Sequence, residues 1–324
     1  MRHLRILEYV DRVARTGSIR GAAEQLNFTA SALTRRIFDL EAELGAKLFE
    51  RTPRGMRLTA AGELFVAHAR AQLAEVERLK SGIEDLRGLR RGLVRIACSQ
   101  AMAPDFLPRT IGEFRRRCPQ IAFDVRVTDH ETAMDALVSY EVDIVLVFQP
   151  APHPQFQQLA RLEQRLVAQM ARDHPLAGQA TAGQATAGQA TAGQAPLRLR
   201  DCASYPVALS DRSTGGRQLL DRFSARTGVQ FEVAVESNSF ELLRRSVVHS
   251  GLVSFQIEVG APPETEGSDI VVRRIDRRDT PPGALVLGQL RGRGLPVACA
   301  MFAEHLSAEM TRAGTARDPG ATAD

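Results

Sequence analysis

Four apolar residues place the tightest constraint on this chain. Leu33, Ile37, Leu40 and Leu44 recur at i, i+4, i+7 and i+11, one stripe of a helix running from about Ala30 to Leu44. Gly45 stands where its C-cap belongs. Upstream, Leu4, Leu7, Val10 and Ala14 follow the same period, and Thr16-Gly17-Ser18 ends that helix. Ser18 is a good N-cap for a short second helix that buries Ala22, Ala23 and Leu26 before a tight turn at Asn27-Phe28-Thr29. Two helices joined by a three-residue turn, the second polar on one face, form a helix-turn-helix signature. Phe49 to Thr59 places Arg51, Arg54 and Arg57 around Pro53 and Gly55, which predicts a short basic hairpin beside the helices.

A long helix is predicted from about Ala60 to Leu89. Phe65, Ala69, Gln72, Val76, Leu79, Ile83 and Leu86 are spaced 4-3-4-3-4-3, a heptad seam interrupted by Gln72. A helix packed on its own domain would also carry a stripe. The 3.5 period and the length favour a coiled-coil dimer, with Gln72 fixing register.

After the basic hinge Arg87–Arg91 the pattern changes to strands alternating with helices. Val94–Cys98, Ile121–Val127 and Ile144–Phe148 read as strands, separated by helices at Pro104–Arg117 and Glu131–Tyr140. Further strands are expected near Leu166–Met170, Pro206–Leu209, Val229–Val235, Leu252–Ile257, Ile270–Ile275 and Ala284–Leu290. Helices are expected near Gly216–Thr227, Ser239–Ser250 and Pro296–Glu309. Residues 177–195 repeat A-G-Q-A-T with a period of five and read as a surface loop expansion. The tail from Arg312 is small and polar and reads as disordered.

Charge sharpens this division. The 324 residues carry a net charge of +4, but residues 1–92 hold 17 Lys+Arg against 12 Asp+Glu, and the remainder 25 against 26. A basic end on a neutral body points to an anionic partner for the first third. No apolar run reaches the ~18 residues a membrane helix needs. Met1 to Arg20 mixes charged and apolar residues, unlike a secretory signal. Cys98, Cys118, Cys202 and Cys299 stand far apart, so no metal ligand set is expected, nor a disulfide framework, and a reduced, cytoplasmic setting is.

The run Gly17-Ser18, Ala22-Ala23-Glu24-Gln25-Leu26, Ala32-Leu33-Thr34-Arg35-Arg36-Ile37, Leu40-Glu41-Ala42-Glu43-Leu44-Gly45, Leu48-Phe49-Glu50-Arg51 and Leu58-Thr59-Ala60-Ala61-Gly62 resembles the winged helix-turn-helix of LysR-type transcriptional regulators. Phe106-Leu107-Pro108, Asp143-Ile144, Asp173-His174-Pro175 and Glu236-Ser237-Asn238 are similar to features of that family's effector domain. The resemblance implies an α/β protein with a winged helix-turn-helix at 1–59, a linker helix and hinge at 60–91, and an effector domain at 92–310. That domain would resemble periplasmic binding proteins, with subdomain I at 92–162 and 268–310, subdomain II at 163–267, and a tail at 311–324. It also implies a homodimer or homotetramer that binds promoter DNA, answers a small molecule held between the subdomains, and has RNA polymerase as a further partner.

On this reading Ser18, Ala30, Ser31, Thr34, Arg35, Arg36 and Phe38 with Thr52, Arg54 and Arg57 on the wing contact DNA. Arg35 suits a guanine edge in the major groove, and the wing suits phosphates. Ala30 departs from the glutamine common in the family and offers thymine only a methyl. Ser99, Gln100, Thr128, Ser213, Thr214, Arg217 and Asn238 fall at strand ends or helix starts and are the candidate effector residues. Each polar one among them would equally serve as a plain cap. A carboxylate suits free N–H groups at Ser213-Thr214-Gly215-Gly216, and Arg217 would pair with an acidic effector or with a neighbouring carboxylate.

Enzyme readings find little support. The histidines are scattered, and no H-E-x-x-H, G-x-S-x-G or phosphate loop occurs, so neither catalytic residues nor a cofactor are expected. The alternative within the same architecture is a redox-responsive regulator using Cys202.

Overall fold

The computed structural model describes residues 4–53, 55–87, 91–178, 195–262 and 268–317. Arg54, the middle of the hinge, most of the A-G-Q-A-T repeat and the end of the tail lie outside them. The chain divides into two compact units: Met1–Leu89 with Gly294–Val297, and Arg90–Arg293 with Ala298–Asp324.

The first unit is built from α1 (Arg5–Thr16), α2 (Ile19–Gln25), α3 (Ala30–Leu44), the hairpin β1 (Phe49–Thr52) and β2 (Gly55–Leu58), and α4 (Ala60–Leu86). Its caps follow from side-chain chemistry. The hydroxyls of Ser18, Thr29 and Thr59 accept from the backbone N–H groups of Gly21, Ala32 and Gly62, closing the starts of α2, α3 and α4. Val10, Val13, Ala22, Leu33, Ile37 and Leu48 form a dry core with Val66 of α4. The hairpin is pinned against that core. Gly55 has φ +124°, and a Cβ there would lie 2.5 Å from the Gly17 carbonyl oxygen, which accepts the Met56 N–H at 2.8 Å. Gly62 lets α4 start directly against the Leu48 carbonyl, 2.0 Å from where a Cβ would sit.

The expected stripe of α3 is shorter than the sequence suggested. Leu33 and Ile37 are buried and Leu40 packs against the core, but Leu44 is 46% exposed, and Glu41 takes the buried place beside the hairpin.

The second unit contains two five-stranded sheets. In chain order its elements are β3 (Gly92–Cys98), α5 (Phe106–Arg117), β4 (Ile121–Val127), α6 (His130–Val138), β5 (Ile144–Phe148), β6 (Phe156–Gln164), β7 (Leu166–Ala171), α7 (Leu199–Cys202), β8 (Val207–Ser210), α8 (Gly215–Thr227), β9 (Val233–Ser237), α9 (Phe240–Ser250), β10 (Val253–Ile257), β11 (Ile270–Arg274), β12 (Gly283–Leu290) and α10 (Val297–Arg317). One sheet has the order β4-β3-β5-β12-β6 and the other β11-β7-β10-β8-β9. In each, three parallel strands connected through helices adjoin two antiparallel ones. The fully buried strand β5 is a continuous apolar run of the sequence, whereas β10, equally buried, carries Ser254 and Gln256 inside.

The structure corrects three sequence expectations. β6 has no counterpart in the sequence reading: Gln157, Gln158 and Glu163 face solvent and break the apolar pattern, yet the strand pairs along its length with β12. β11 belongs to the second sheet beside β7, not to the first where 268–275 was assigned, so the chain returns between the sheets only after Arg274. The polar tail is helical as far as Arg317, because α10 continues beyond Glu309 with Leu306 and Met310 buried. Where the repeat joins the fold, buried Arg273 donates to the Leu176 carbonyl at 3.0 Å and to the Ala195 carbonyl at 2.8 Å.

Candidate nucleic-acid interface and ligand cavity

The outer face of α3 carries Ala30, Ser31, Thr34, Arg35, Arg36 and Phe38, all exposed. Thr34 bonds the Ala30 carbonyl at 2.8 Å, and the Lys47 ammonium lies 4.6 Å from the Phe38 ring centre. Ser18 is spent as the α2 cap, and the Thr52 hydroxyl on the Gly55 carbonyl in the wing turn. The arginines of this unit differ in what they bond. Arg15 and Arg70 hold Asp11, Arg20 pairs with Glu24, and Arg78 with Glu75. Arg35 and Arg36 on α3 and Arg51 and Arg57 on the hairpin are exposed and make no ion pair with any described residue. Unpaired guanidinium groups on one helix face and one adjoining hairpin suit phosphates and base edges.

Glu41 holds α3 and the hairpin in register. Its carboxylate, 8% exposed, accepts from the backbone N–H groups of Leu48 at 2.8 Å and Phe49 at 3.2 Å and from the Lys47 ammonium at 2.8 Å. Burial pushes its pKa up, but Lys47 and the two N–H groups outweigh that and hold it below the ordinary carboxylate value. The sequence reading gave Glu41 no role; a charged residue where the stripe should continue was the signal.

The heptad seam divides. Phe65 packs against the unit's own core and Ala69 is fully buried, so this end of α4 serves its own domain. Further along, Leu79 is 51%, Ile83 44% and Leu86 89% exposed, while Gln72 is exposed and Val76 half-buried.

In the second unit, the carboxyl ends of β3, β4, β5, β8, β9 and β10 converge on one cavity of about 230 Å³. Ser99, Gln100, Thr128, Ser213, Thr214 and Asn238 line it together, as do Asp129, His130, Phe148, Asp211 and Gln256, which the sequence reading did not single out. Thr214 caps α8, and its hydroxyl lies 2.7 Å from that of Ser210; Ser99 Oγ accepts the Phe148 N–H at 3.3 Å. Asp129 caps α6, accepting from Thr132 N–H at 2.8 Å and Thr132 Oγ1 at 2.7 Å. Burial raises its pKa, but these donors prevail and keep it below the ordinary value. Asp211 accepts the Ser213 N–H at 3.0 Å and hydroxyl at 2.6 Å. Among the described residues no lysine or arginine lines the cavity; its wall holds these two carboxylates and Gly215 and Gly216 at the start of α8.

Arg217 is the one candidate that does not join this set. Its side chain is buried and turned away, donating to Asp221 at 2.9 Å, to Glu236 at 2.7 Å and to the Ser210 carbonyl at 2.8 Å. The neighbouring carboxylates take the guanidinium, and Arg217 does not line the cavity. Cys202 is also fully buried, and burial, with Asp201 and Asp279 nearby, pushes its thiol up to about 12. No helix among the described residues is long and apolar enough to cross a membrane.

Comparison with known proteins agrees with this geometry. Residues 4–63 match the family model of the bacterial regulatory helix-turn-helix protein, lysR family, and residues 87–311 match that of the LysR substrate binding domain. The RuBisCO operon transcriptional regulator of Allochromatium vinosum is 29% identical over 249 residues, covering 77% of each chain. A single-residue variant of full-length OxyR from Pseudomonas aeruginosa has a similar fold, with a TM-score of 0.67, 20% identity, and 95% of this chain and 94% of that one covered. Full-length CbnR, solved in complex with its target DNA, gives a TM-score of 0.60 at 19% identity, covering 94% of this chain and 99% of that one.

Proposed function

The chain belongs to the LysR family of transcriptional regulators, and from that premise we propose which residues carry each part of the work. The α3 face and the wing read promoter DNA in the cytoplasm. Arg35, Ser31 and Thr34 enter the major groove, with Arg36, Phe38 and Ala30 beside them, and Arg51, Arg54 and Arg57 follow phosphates. The observation that carries this reading is a cluster: Arg35 and Arg36 on α3 and Arg51 and Arg57 on the adjoining hairpin are all exposed and in no ion pair with a described residue, while Arg15, Arg20, Arg70 and Arg78 hold carboxylates. A second copy of the chain covers Leu79, Ile83 and Leu86, presenting two recognition helices to half-sites about 34 Å apart. RNA polymerase is the partner through which bound DNA is read out.

Residues 1–59 act as the DNA-binding domain, 60–91 as linker, and the rest as an effector domain that regulates without catalysis. Its cavity suits a small zwitterion. A carboxylate fits the Gly215 and Gly216 N–H groups at the start of α8, and an ammonium group fits between Asp129 and Asp211. A doubly anionic effector would meet two carboxylates and no cationic side chain among the described residues. A thiol held protonated at Cys202 favours a bound effector over a redox signal.

Footprinting of DNA upstream of the gene at fixed salt, with and without an amino-acid panel, tests the reading. Protection of paired half-sites that shifts with a zwitterion is expected. Absence of protection would overturn the DNA assignment. A response to dicarboxylates alone would overturn the effector assignment.

A further inference from the structure

His305 and Glu309 stand four residues apart on α10 and so share one face, with His305 Nε2 4.0 Å from Glu309 Oε1. Glu113 of α5 meets them. One ligand atom from each of the three lies within 4.8 Å of the others. The imidazole is set by aromatic packing, its ring centre 5.6 Å from that of Phe114 and 6.5 Å from that of Phe302. The His305 side chain is 8% exposed, and its buried Nε2 has no hydrogen-bond partner. A buried ring nitrogen without a hydrogen-bond partner, 4.0 Å from one carboxylate in a cluster of two, is not accounted for by packing. Neither the recognition surface nor the effector cavity uses these residues.

We propose that Glu113, His305 and Glu309 bind a divalent transition-metal ion of the zinc type. One imidazole nitrogen with two carboxylate oxygens is a donor set such ions accept, whereas Mg²⁺ prefers oxygen alone. The ion satisfies Nε2, neutralises two facing carboxylates and joins α5 to α10. Arg312 now pairs with Glu309, but its side chain is 62% exposed, so it acts as a competitor that the ion displaces into solvent.

The test is calorimetric titration of the chelator-stripped, full-length protein with ZnCl₂, alongside thermal melting in ZnCl₂ or MgCl₂. Wild type binds one equivalent per chain and melts higher in zinc but not in magnesium. His305→Ala and Glu113→Gln each weaken binding tenfold or more, taking as a guide the ~10–100-fold lost when a metal site's supporting groups are removed. Arg312→Ala binds as tightly as wild type or tighter. A cooperative thermal melt without metal and an unchanged circular dichroism spectrum show each variant folded, and Glu113→Gln serves if His305→Ala does not fold. Equal zinc affinity in wild type and in the folded ligand variants would overturn the proposal, as would equal stabilisation by magnesium.

Discussion

The carboxylate of Glu41, buried on α3, accepts the backbone N–H of Leu48 at 2.8 Å, so the recognition helix and the wing share one hydrogen-bonded joint. Glu41→Ala leaves the Leu48 and Phe49 donors unmet and is expected to cost about 1–3 kcal/mol in urea unfolding. Its folded pKa lies below its unfolded value of 4.5, so the stabilisation is present above that pH. It is lost as pH falls through the folded value. The acid limb of the wild-type stability profile is therefore steeper than that of Glu41→Gln.

Arg35→Ala and Arg57→Ala separate reading from anchoring. The first is expected to cost about 1–3 kcal/mol on the specific site and to flatten discrimination between bases. The second weakens all sequences alike and lowers the salt slope of binding by about one. Titrations of labelled promoter and scrambled duplexes at several salt concentrations distinguish them.

Arg217→Ala tests the correction made by its pairing with Asp221 and Glu236. Because both partners are about half exposed, the loss is expected to be about 1–3 kcal/mol of stability rather than the larger penalty of a wholly buried pair. Effector affinity stays within twofold. A large selective loss of effector binding would restore Arg217 to the ligand set.

Asp211→Asn removes one of two negative groups from the cavity wall without removing its bond from Ser213. A zwitterionic effector is expected to bind about tenfold more weakly to this variant, and an anionic analogue more tightly, as read by thermal shift.

The Cys202 thiol, with its pKa pushed up to about 12, is protonated at neutral pH and screened from reagent. Alkylation of the native protein is expected to leave Cys202 unmodified and DNA binding intact, with modification appearing only on unfolding. Rapid native labelling that altered DNA binding would favour the redox alternative.

Local chemistry was legible where it decides local structure. Ser18 and Gly45 mark helix ends by hydrogen bonding and backbone freedom, and they sit at those ends. The strand-end rule located Ser99, Thr128 and Thr214 because strands β3, β4 and β8 announce themselves by β-branched and apolar runs. What failed depended on partners distant in sequence. β6 is a strand because β12 offers it hydrogen bonds, despite its polar sequence. Arg217 is neutralised by Glu236, nineteen positions away. Phe65 and Leu86 belong to the same heptad frame, and only the folded core shows that one is inside and the other 89% exposed. Glu113 and His305 come together only through the packing of α5 against α10.

Arg273 has a consequence for how this gene can change. One guanidinium holds the carbonyls of Leu176 and Ala195, the two shores of the A-G-Q-A-T tract. The span between those shores is fixed by the clamp and not by the number of repeat units. Gain or loss of a five-residue unit is therefore expected to leave both bonds to Arg273 in place. The tract is thus where this regulator is expected to absorb a change of length, and the place to splice in a reporter peptide.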